Sequence, residues 1–449
     1  MKRIIAIVIV WGLLPWVARA KGVTKEEAIR VAVERCQSVA GGYFPAEARR
    51  IRLVEKEGKP CYYIIQFQPE GWALVSADDR ATPVLGYSPT GCFYEDDQPS
   101  AMQWWLNEYA EGVKSLSGSL RKQRHALWDR KEIHTRASAR IEPFIQVKWD
   151  QSAPYNKYCP ENTKGEKAIV GCVAVAFAQA MSVFQKPDRP VGRNGYTDDD
   201  FGLVSVNFDR EPPYNWEAIM SGSDGNSETA RLLYHCGVAV NMDYGKNGSG
   251  AYSNRILKAL SDYFSYPPSS AKYYKRNSYT GDWIALITNE LAAGRPVVYD
   301  GENDKGTSAH AFNLDGFDGS NSFHVNWGWR GKNNGYFTLE NLNDGNFNYL
   351  NNHGALVGIY FDGSSSTEEI RESAAVRLYV GANGEWILES AEAGRYQIYN
   401  MAGNQLASGT FQAGTELFSA VRALSPAVYI ASFSYGGKRT VQKIIVNLQ

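Results

Sequence analysis

The chain is short of the residues that most often mark metal chemistry. It has six histidines and six cysteines in 449 residues, and no calcium, zinc or nucleotide motif stands out among them. His235 and Cys236 are adjacent, but no further histidine or cysteine clusters with them, so the pair reads as core. No cofactor or metal is expected. Surplus charge is lacking too: the formal net charge is −1, which removes the electrostatic case for a nucleic-acid partner. After the first 20 residues no apolar run is long enough to cross a membrane. Cysteines 36, 61 and 92 precede residue 140, and 159, 172 and 236 follow it. Neither trio pairs off evenly within itself. Even in an oxidising compartment, where bridges form, this leaves room for one free thiol.

What is present is a supply for strands, turns and binding surfaces: 13% aromatic residues, 27 tyrosines and 42 glycines. The length predicts two or three domains. Residues 1–20 read as a signal peptide, with Lys2-Arg3, an apolar run and a small-residue cleavage site at Ala18-Arg19-Ala20, and predict export. A separate unit is expected over 21–136. It opens with a capping box, Thr24 with Glu27 three residues on, and its helix runs to about Ser38. Strands Cys61–Phe67 and Gly71–Ala77 and a helix over Met102–Leu116 follow. The basic, polar stretch from Arg121 to Arg140 reads as an exposed linker, where proteolysis concentrates. Cleavage is expected near Arg136 or Arg140, so that 21–140 forms one leading region.

The organising segment is Val170–Met181. After Cys172 nothing charged appears until Lys186, and Pro187 closes the run. Small and apolar residues on all faces predict a buried helix, with Gly171 turning the chain ahead of it. A thiol at a helix N-terminus loses its proton more easily, so Cys172 is a candidate nucleophile; the bland alternative is a core cysteine. A thiolate needs a base, and His310 lies 138 residues on. Its strand is followed by Asp318-Gly319, a two-residue hairpin signal, and by Phe323–Trp329. A two-residue turn pairs Phe317 with Ser320 and sets Trp327 opposite His310. A longer loop would shift that register. His324, on an apolar strand, reads as structural. Further helices are expected at Asn226–Cys236, Ser253–Phe264 and Asp282–Ala293, and strands at Pro296–Asp300, Gly335–Leu339 and Ala355–Tyr360.

Gly171-Cys172-Val173-Ala174, His310-Ala311-Phe312 and His324-Val325-Asn326-Trp327-Gly328-Trp329 resemble the streptopain family of papain-like cysteine peptidases. So do Met242-Asp243-Tyr244-Gly245 with Gly248-Ser249-Gly250, and Trp149–Asn156. The segment from Asp78 to Tyr87 resembles that family's propeptide. The resemblance implies an α+β fold: a papain-like two-lobe catalytic domain over 141–362 with an α+β propeptide before it. It implies Cys172 as nucleophile, His310 as its acid–base partner and Gln151 as oxyanion donor. Trp327 would shield and orient the histidine, and Asn326 is the second candidate for that task. Ser249, Gly250 and Trp329 would meet substrate. Partners would be protein and peptide substrates, with an apolar residue two places before the cleaved bond, and the propeptide as intramolecular inhibitor.

Beyond the linker Gly363–Thr367, residues 370–449 alternate apolar and polar with regular turns, which predicts a small β-sandwich. The region resembles carboxy-terminal sorting domains of type IX secretion, implying secretion machinery as a partner and a secreted or cell-surface location. The implied activity is a latent secreted endopeptidase. The alternatives are another Cys–His acyl transferase or amidase, or an inactive surface adhesin.

Overall fold

The computed structural model describes residues 22–39, 47–96, 98, 100–116, 123–129, 140–221, 225–268, 270–302, 309–339, 352–361, 376–380, 385–400, 404–421, 424, 427–436 and 438–446. The expected signal peptide, Arg136 and the linker at Gly363–Thr367 lie outside them. Two compact units divide after Ser366.

In the first unit, α1 (Lys25–Val39) starts where Thr24 Oγ1 accepts from the Glu27 N–H at 3.2 Å. Its buried Ala28, Val31, Ala32 and Cys36 cluster with Ile65, Phe67, Ala73 and Val75 of the sheet. Strands β1 (Glu47–Lys56), β2 (Lys59–Gln68), β3 (Trp72–Ser76) and β4 (Val84–Ser88) form an antiparallel meander, followed by α2 (Ser100–Ser115). Then come α3 (Cys172–Ser182), β5 (Arg193–Asp198), β6 (Gly202–Asn207), α4 (Trp216–Met220), α5 (Ser227–Ala239) and α6 (Arg255–Phe264). After β7 (Lys272–Lys275) and α7 (Trp283–Ala292) the chain is mostly sheet: β8 (Val297–Glu302), β9 (Ala309–Phe317), β10 (Ser322–Asn326), β11 (Gly335–Thr338) and β12 (His353–Val357).

The expected helices and strands are thus found, within a few residues at each end. β1, β4, the β5–β6 hairpin, α4 and β7 are additions. The leading region, expected to stand apart, does not close a sheet of its own. β4 pairs with β11 through Tyr87–Tyr336 and Gly86–Phe337. One ten-stranded sheet results, in the order β1-β2-β3-β4-β11-β10-β9-β8-β12-β7. Gly86 permits the approach: a Cβ there would sit 2.7 Å from the Phe337 ring.

α3 is buried from Val173 to Ser182. Phe177 packs edge-on to Phe264 of α6, and the helix shares one core with Trp149, Leu232, Leu233 and Ile256. Truncating a buried phenylalanine of this kind costs about 3–5 kcal/mol. A second core joins α2 and α7 to the sheet, with Trp105, Trp283, Phe312, Phe323 and Trp327 at its centre.

The second unit has a three-stranded sheet of β13 (Val376–Val380), β14 (Trp386–Ser390) and β17 (Gly414–Leu417). Its four-stranded sheet holds β15 (Gly394–Asn400), β16 (Gln405–Phe411), β18 (Ala427–Tyr435) and β19 (Lys438–Val446). Leu388 from the first sheet and Ile398, Phe433 and Ile444 from the second share one core.

Candidate active site

Cys172 sits at the first position of α3 because the chain turns there. Gly171 has φ 89°, and a Cβ on it would lie 2.7 Å from Met242 and 3.1 Å from the Ser249 carbonyl. The approach to the turn is held from both sides. The Val170 N–H donates to the Gln151 carbonyl at 2.9 Å, and the Ile169 N–H to the Gly245 carbonyl at 3.1 Å. The Ser249 hydroxyl donates to the Ile169 carbonyl at 2.7 Å. The segment carrying the thiol is thus framed by the Gln151 loop and by the 243–250 loop, which Asp243 and Gly250 close with paired backbone bonds of 2.8 and 2.9 Å. A Cβ on Gly250 would meet nothing within 4 Å, so this loop presents bare backbone to open space.

His310 is brought to the same place by β9. A cavity of about 240 Å³ is lined by Cys172, Ser249, Gly250, Tyr252, Asp300 and His310 among others. No hydrogen bond joins the thiol and the imidazole among the described residues. Instead Nε2 of His310 lies 3.1 Å from the Trp327 carbonyl and 3.2 Å from Nε1 of Trp329. The Nε2–H tautomer donates to the carbonyl, and the Nδ1–H tautomer accepts the indole N–H. Both indoles lie nearly parallel to the imidazole, at 6.3 Å for Trp327 and 5.8 Å for Trp329.

This geometry corrects the two-residue turn. The carboxylate Oδ1 of Asp318 accepts from the N–H groups of Ser320, Asn321 and Ser322 at 2.8, 3.0 and 3.0 Å. It therefore draws a longer loop around itself, and Phe317 pairs with Phe323, not Ser320. A register shift follows between His324 and Val325, and Asn326 pairs with Asn313. Trp329, expected at the substrate, becomes the indole whose N–H reaches His310. Trp327 is a buried wall. Asn326 does not contact His310. Its amide donates to the Val147 carbonyl at 2.9 Å and accepts from Gln179 and from the Gly328 N–H, each at 3.2 Å.

Two features went unread in the sequence. A buried amide relay ties α3 to β9: Asn313 on β9 donates to the Ala176 carbonyl and to Gln179 Oε1 of α3 at 3.0 and 3.1 Å. Gln179 in turn reaches Asn326. The other is Arg330, beside Trp329, which donates to Asp150 at 2.8 Å and to the Ala153 carbonyl at 2.5 Å. The Asp150 carboxylate also caps the Gln151 N–H at 2.7 Å. One guanidinium thus fixes the loop carrying Gln151, which is itself buried. The adjacency of Asp150 to Gln151, and of Arg330 to Trp329, was the available signal.

Burial decides the protonation states. Desolvation pushes the Cys172 thiol above its ordinary 9.0, with the Asp300 carboxylate adding to the effect and the N–H groups of Ala311, Val173 and Cys172 opposing it. Desolvation also holds His310 down at about 4, against the raising effect of the Trp327 carbonyl. A thiolate–imidazolium pair needs the opposite order. Burial therefore favours the neutral thiol and the neutral imidazole over the ion pair. All six cysteines are unbridged, so the thiol is free. His324 bonds Asp315 at 2.5 Å, and His235 bonds the Tyr214 hydroxyl at 2.8 Å, which gives both structural partners.

The leading region packs behind the histidine. Trp105 of α2 stands edge-on to Trp327 and Phe312 and stacks on His353 at 5.4 Å. Trp104 presses on β8 at Gly301, where a Cβ would meet its ring at 2.6 Å.

Residues 149–337 match the peptidase C10 family, and residues 20–113 match the Spi protease inhibitor family. Streptopain from Streptococcus pyogenes is 30% identical over 362 residues, which cover 73% of this chain and 86% of streptopain. The chain belongs to the peptidase C10 family. It is a cysteine peptidase that carries an inhibitor-type leading segment, and so a zymogen. The thiol protease/hemagglutinin PrtT of Porphyromonas gingivalis is 31% identical over 312 residues. That match takes in 66% of the peptidase but 35% of PrtT, so the peptidase spans about a third of PrtT's length. A solved fragment of prointerpain A from Prevotella intermedia, with its cysteine changed to alanine, superposes with a TM-score of 0.59. It is 30% identical and covers 70% of the peptidase and 99% of the fragment. No described helix is long and apolar enough to cross a membrane.

Proposed function

We propose that the chain is an exported endopeptidase whose reaction is carried by Cys172 and His310 once residues up to about Arg140 have been removed. The observation that carries this reading is that α3 and β9 bring the thiol and the imidazole to one cavity, where burial favours their neutral forms and no hydrogen bond joins the two among the described residues. That is a site assembled but not switched on. Two lobes fit it: a helical one around α3 and a sheet one around β9, with substrate lying in the cleft between them.

In the active form, His310 takes the thiol proton and the thiolate attacks the scissile carbonyl. The resulting oxyanion accepts from the Cys172 N–H and the Gln151 side chain. Loss of one such donor costs on the order of 10²–10³ in rate. The imidazolium then protonates the leaving amine, and water releases the acyl group from sulfur. The Trp327 carbonyl orients the protonated ring by accepting from Nε2–H, and the Trp329 indole walls the ring. Ser249 shapes the substrate loop through its bonds to Ile169 and Gly245, and Gly250 offers backbone to the substrate.

Processing would cut beside Arg140, where the chain emerges to meet Phe317 through Ile141. Residues 1–20 would direct export, and the carboxy-terminal unit, read as a two-sheet sandwich, would engage secretion machinery of the type IX kind.

The test is casein hydrolysis by purified full-length chain before and after limited trypsin. Activity should appear only after trypsin, should be blocked by an epoxide thiol inhibitor, and should be absent in Cys172→Ala. Casein cleavage that survives Cys172→Ala would overturn the assignment.

A further inference from the structure

Asp318 divides its carboxylate between two tasks. Oδ1 is used by its own loop, through the three N–H groups of Ser320, Asn321 and Ser322. Oδ2 is bound from the leading segment. It accepts from Nη1 of Arg35 at 3.0 Å and from the Tyr87 hydroxyl at 3.0 Å. Nη2 of the same guanidinium donates to Asn321 Oδ1 at 3.1 Å, and the Asn321 amide donates to Thr82 Oγ1 at 3.3 Å. Arg35 and Asp318 are 3% and 0% exposed. The Arg35 Nε has no partner among the described residues, so the fork is directed at the Asp318 loop.

The supports on both sides are rigid. Arg35 projects from α1 and its guanidinium lies 5.8 Å over the Tyr87 ring, which stacks on Tyr336 of β11 at 5.2 Å. The loop receiving them joins β9, which carries His310, to β10. Once the leading segment has gone, Oδ2 loses both of these donors while Oδ1 keeps all three of its own. The loop keeps its shape and displays an unmet acceptor.

We propose that Asp318 and Asn321 are the recognition site by which the catalytic region selects its own inhibitory segment, reading a guanidinium from α1 and a phenol from β4 together. This rests on the reading of the leading segment as the inhibitor. A planar fork suits a carboxylate oxygen beside an amide oxygen in a way that a lysine ammonium does not. Removing one partner of a buried pair is costly because the other charge is left uncompensated. A segment lacking this arginine is held less well.

The experiment uses the full chain and follows the rate at which purified unprocessed protein acquires activity on a fluorogenic peptide. Arg35→Met should raise that rate about tenfold or more. Asp318→Asn, which keeps Oδ1 for the loop, should raise it too. The double variant should fall well short of the product of the two, because no orphan charge remains. Arg35→Lys, measured alongside in case Arg35→Met does not fold, should be at least about threefold faster than the parent. Arg35 is absent from the processed enzyme, so processed Arg35→Met must match the parent in kcat/KM. A parent chain already active before processing would refute the inhibitor reading itself. A latent parent with Arg35 variants equally latent, or effects that simply multiply, would overturn the recognition site alone.

Discussion

Nε2 of His310 lies within hydrogen-bond reach of both the Trp329 indole N–H and the Trp327 carbonyl, and the tautomer decides which of them is met. Trp329→Phe keeps an aromatic wall but loses the N–H. The N–H meets Nε2 only while that nitrogen is bare and so does not hold the imidazolium; kcat/KM of the processed peptidase should therefore fall by no more than about threefold, with KM unchanged. Trp329→Ala should cost more. If both variants stay within twofold of the parent in steady-state kinetics, Trp329 does not position the ring. That His310 and Cys172 share one cavity was legible from their spacing. The indole beside the ring was not. The turn depends on a side-chain carboxylate collecting three N–H groups, and Asp-Gly reads the same whether the carboxylate does that or not.

Among the elements, α3 was the most legible, because a run with no charge from Cys172 to Lys186 has no solvent-facing solution. β1 was not, since Glu47–Lys56 is largely exposed and charged; a strand at a sheet edge needs no apolar face and gains from carrying charge. The relay Asn313–Gln179–Asn326 was hidden for a different reason. Its members lie on three elements, and only packing reveals that they meet. It holds α3 against β9, so it fixes where the thiol stands relative to the ring. Gln179→Leu takes one partner from each of Asn313 and Asn326, which keep their bonds to Ala176, Val147 and Gly328, a loss of about 1–3 kcal/mol. Urea unfolding of the Cys172→Ala chain should show that loss as a lower midpoint. An unchanged midpoint would mean that the relay is dispensable.

For the molecule as a whole, buried neutral histidines set the acid limit. Burial lowers His310 to about 4 and His235 to about 3, in each case as the main cause, and pushes His353 well below its ordinary 6.5. These groups bind fewer protons folded than unfolded between their folded values and 6.5. The zymogen is therefore at full stability above pH 6.5 and loses it as pH falls, by about 2 kcal/mol for each of His310 and His235 at pH 5. Urea midpoints of the Cys172→Ala zymogen should drop between pH 7 and pH 5, and a flat profile would contradict the burial of these rings. The leading region and the catalytic region were both legible as sequences. Their union in one sheet was not, because neither β4 nor β11 carries a mark of which strand it joins.

That union is narrow. β4 and β11 are joined through two residue pairs, whereas β1 and β2 are joined through nine. A sheet parts where fewest rungs hold it, so departure of the leading segment breaks a short row of rungs and leaves the meander and α1 intact behind it. Activation would then release a folded body, not an unravelled ribbon, and what drifts away would retain the shape that once fitted the enzyme.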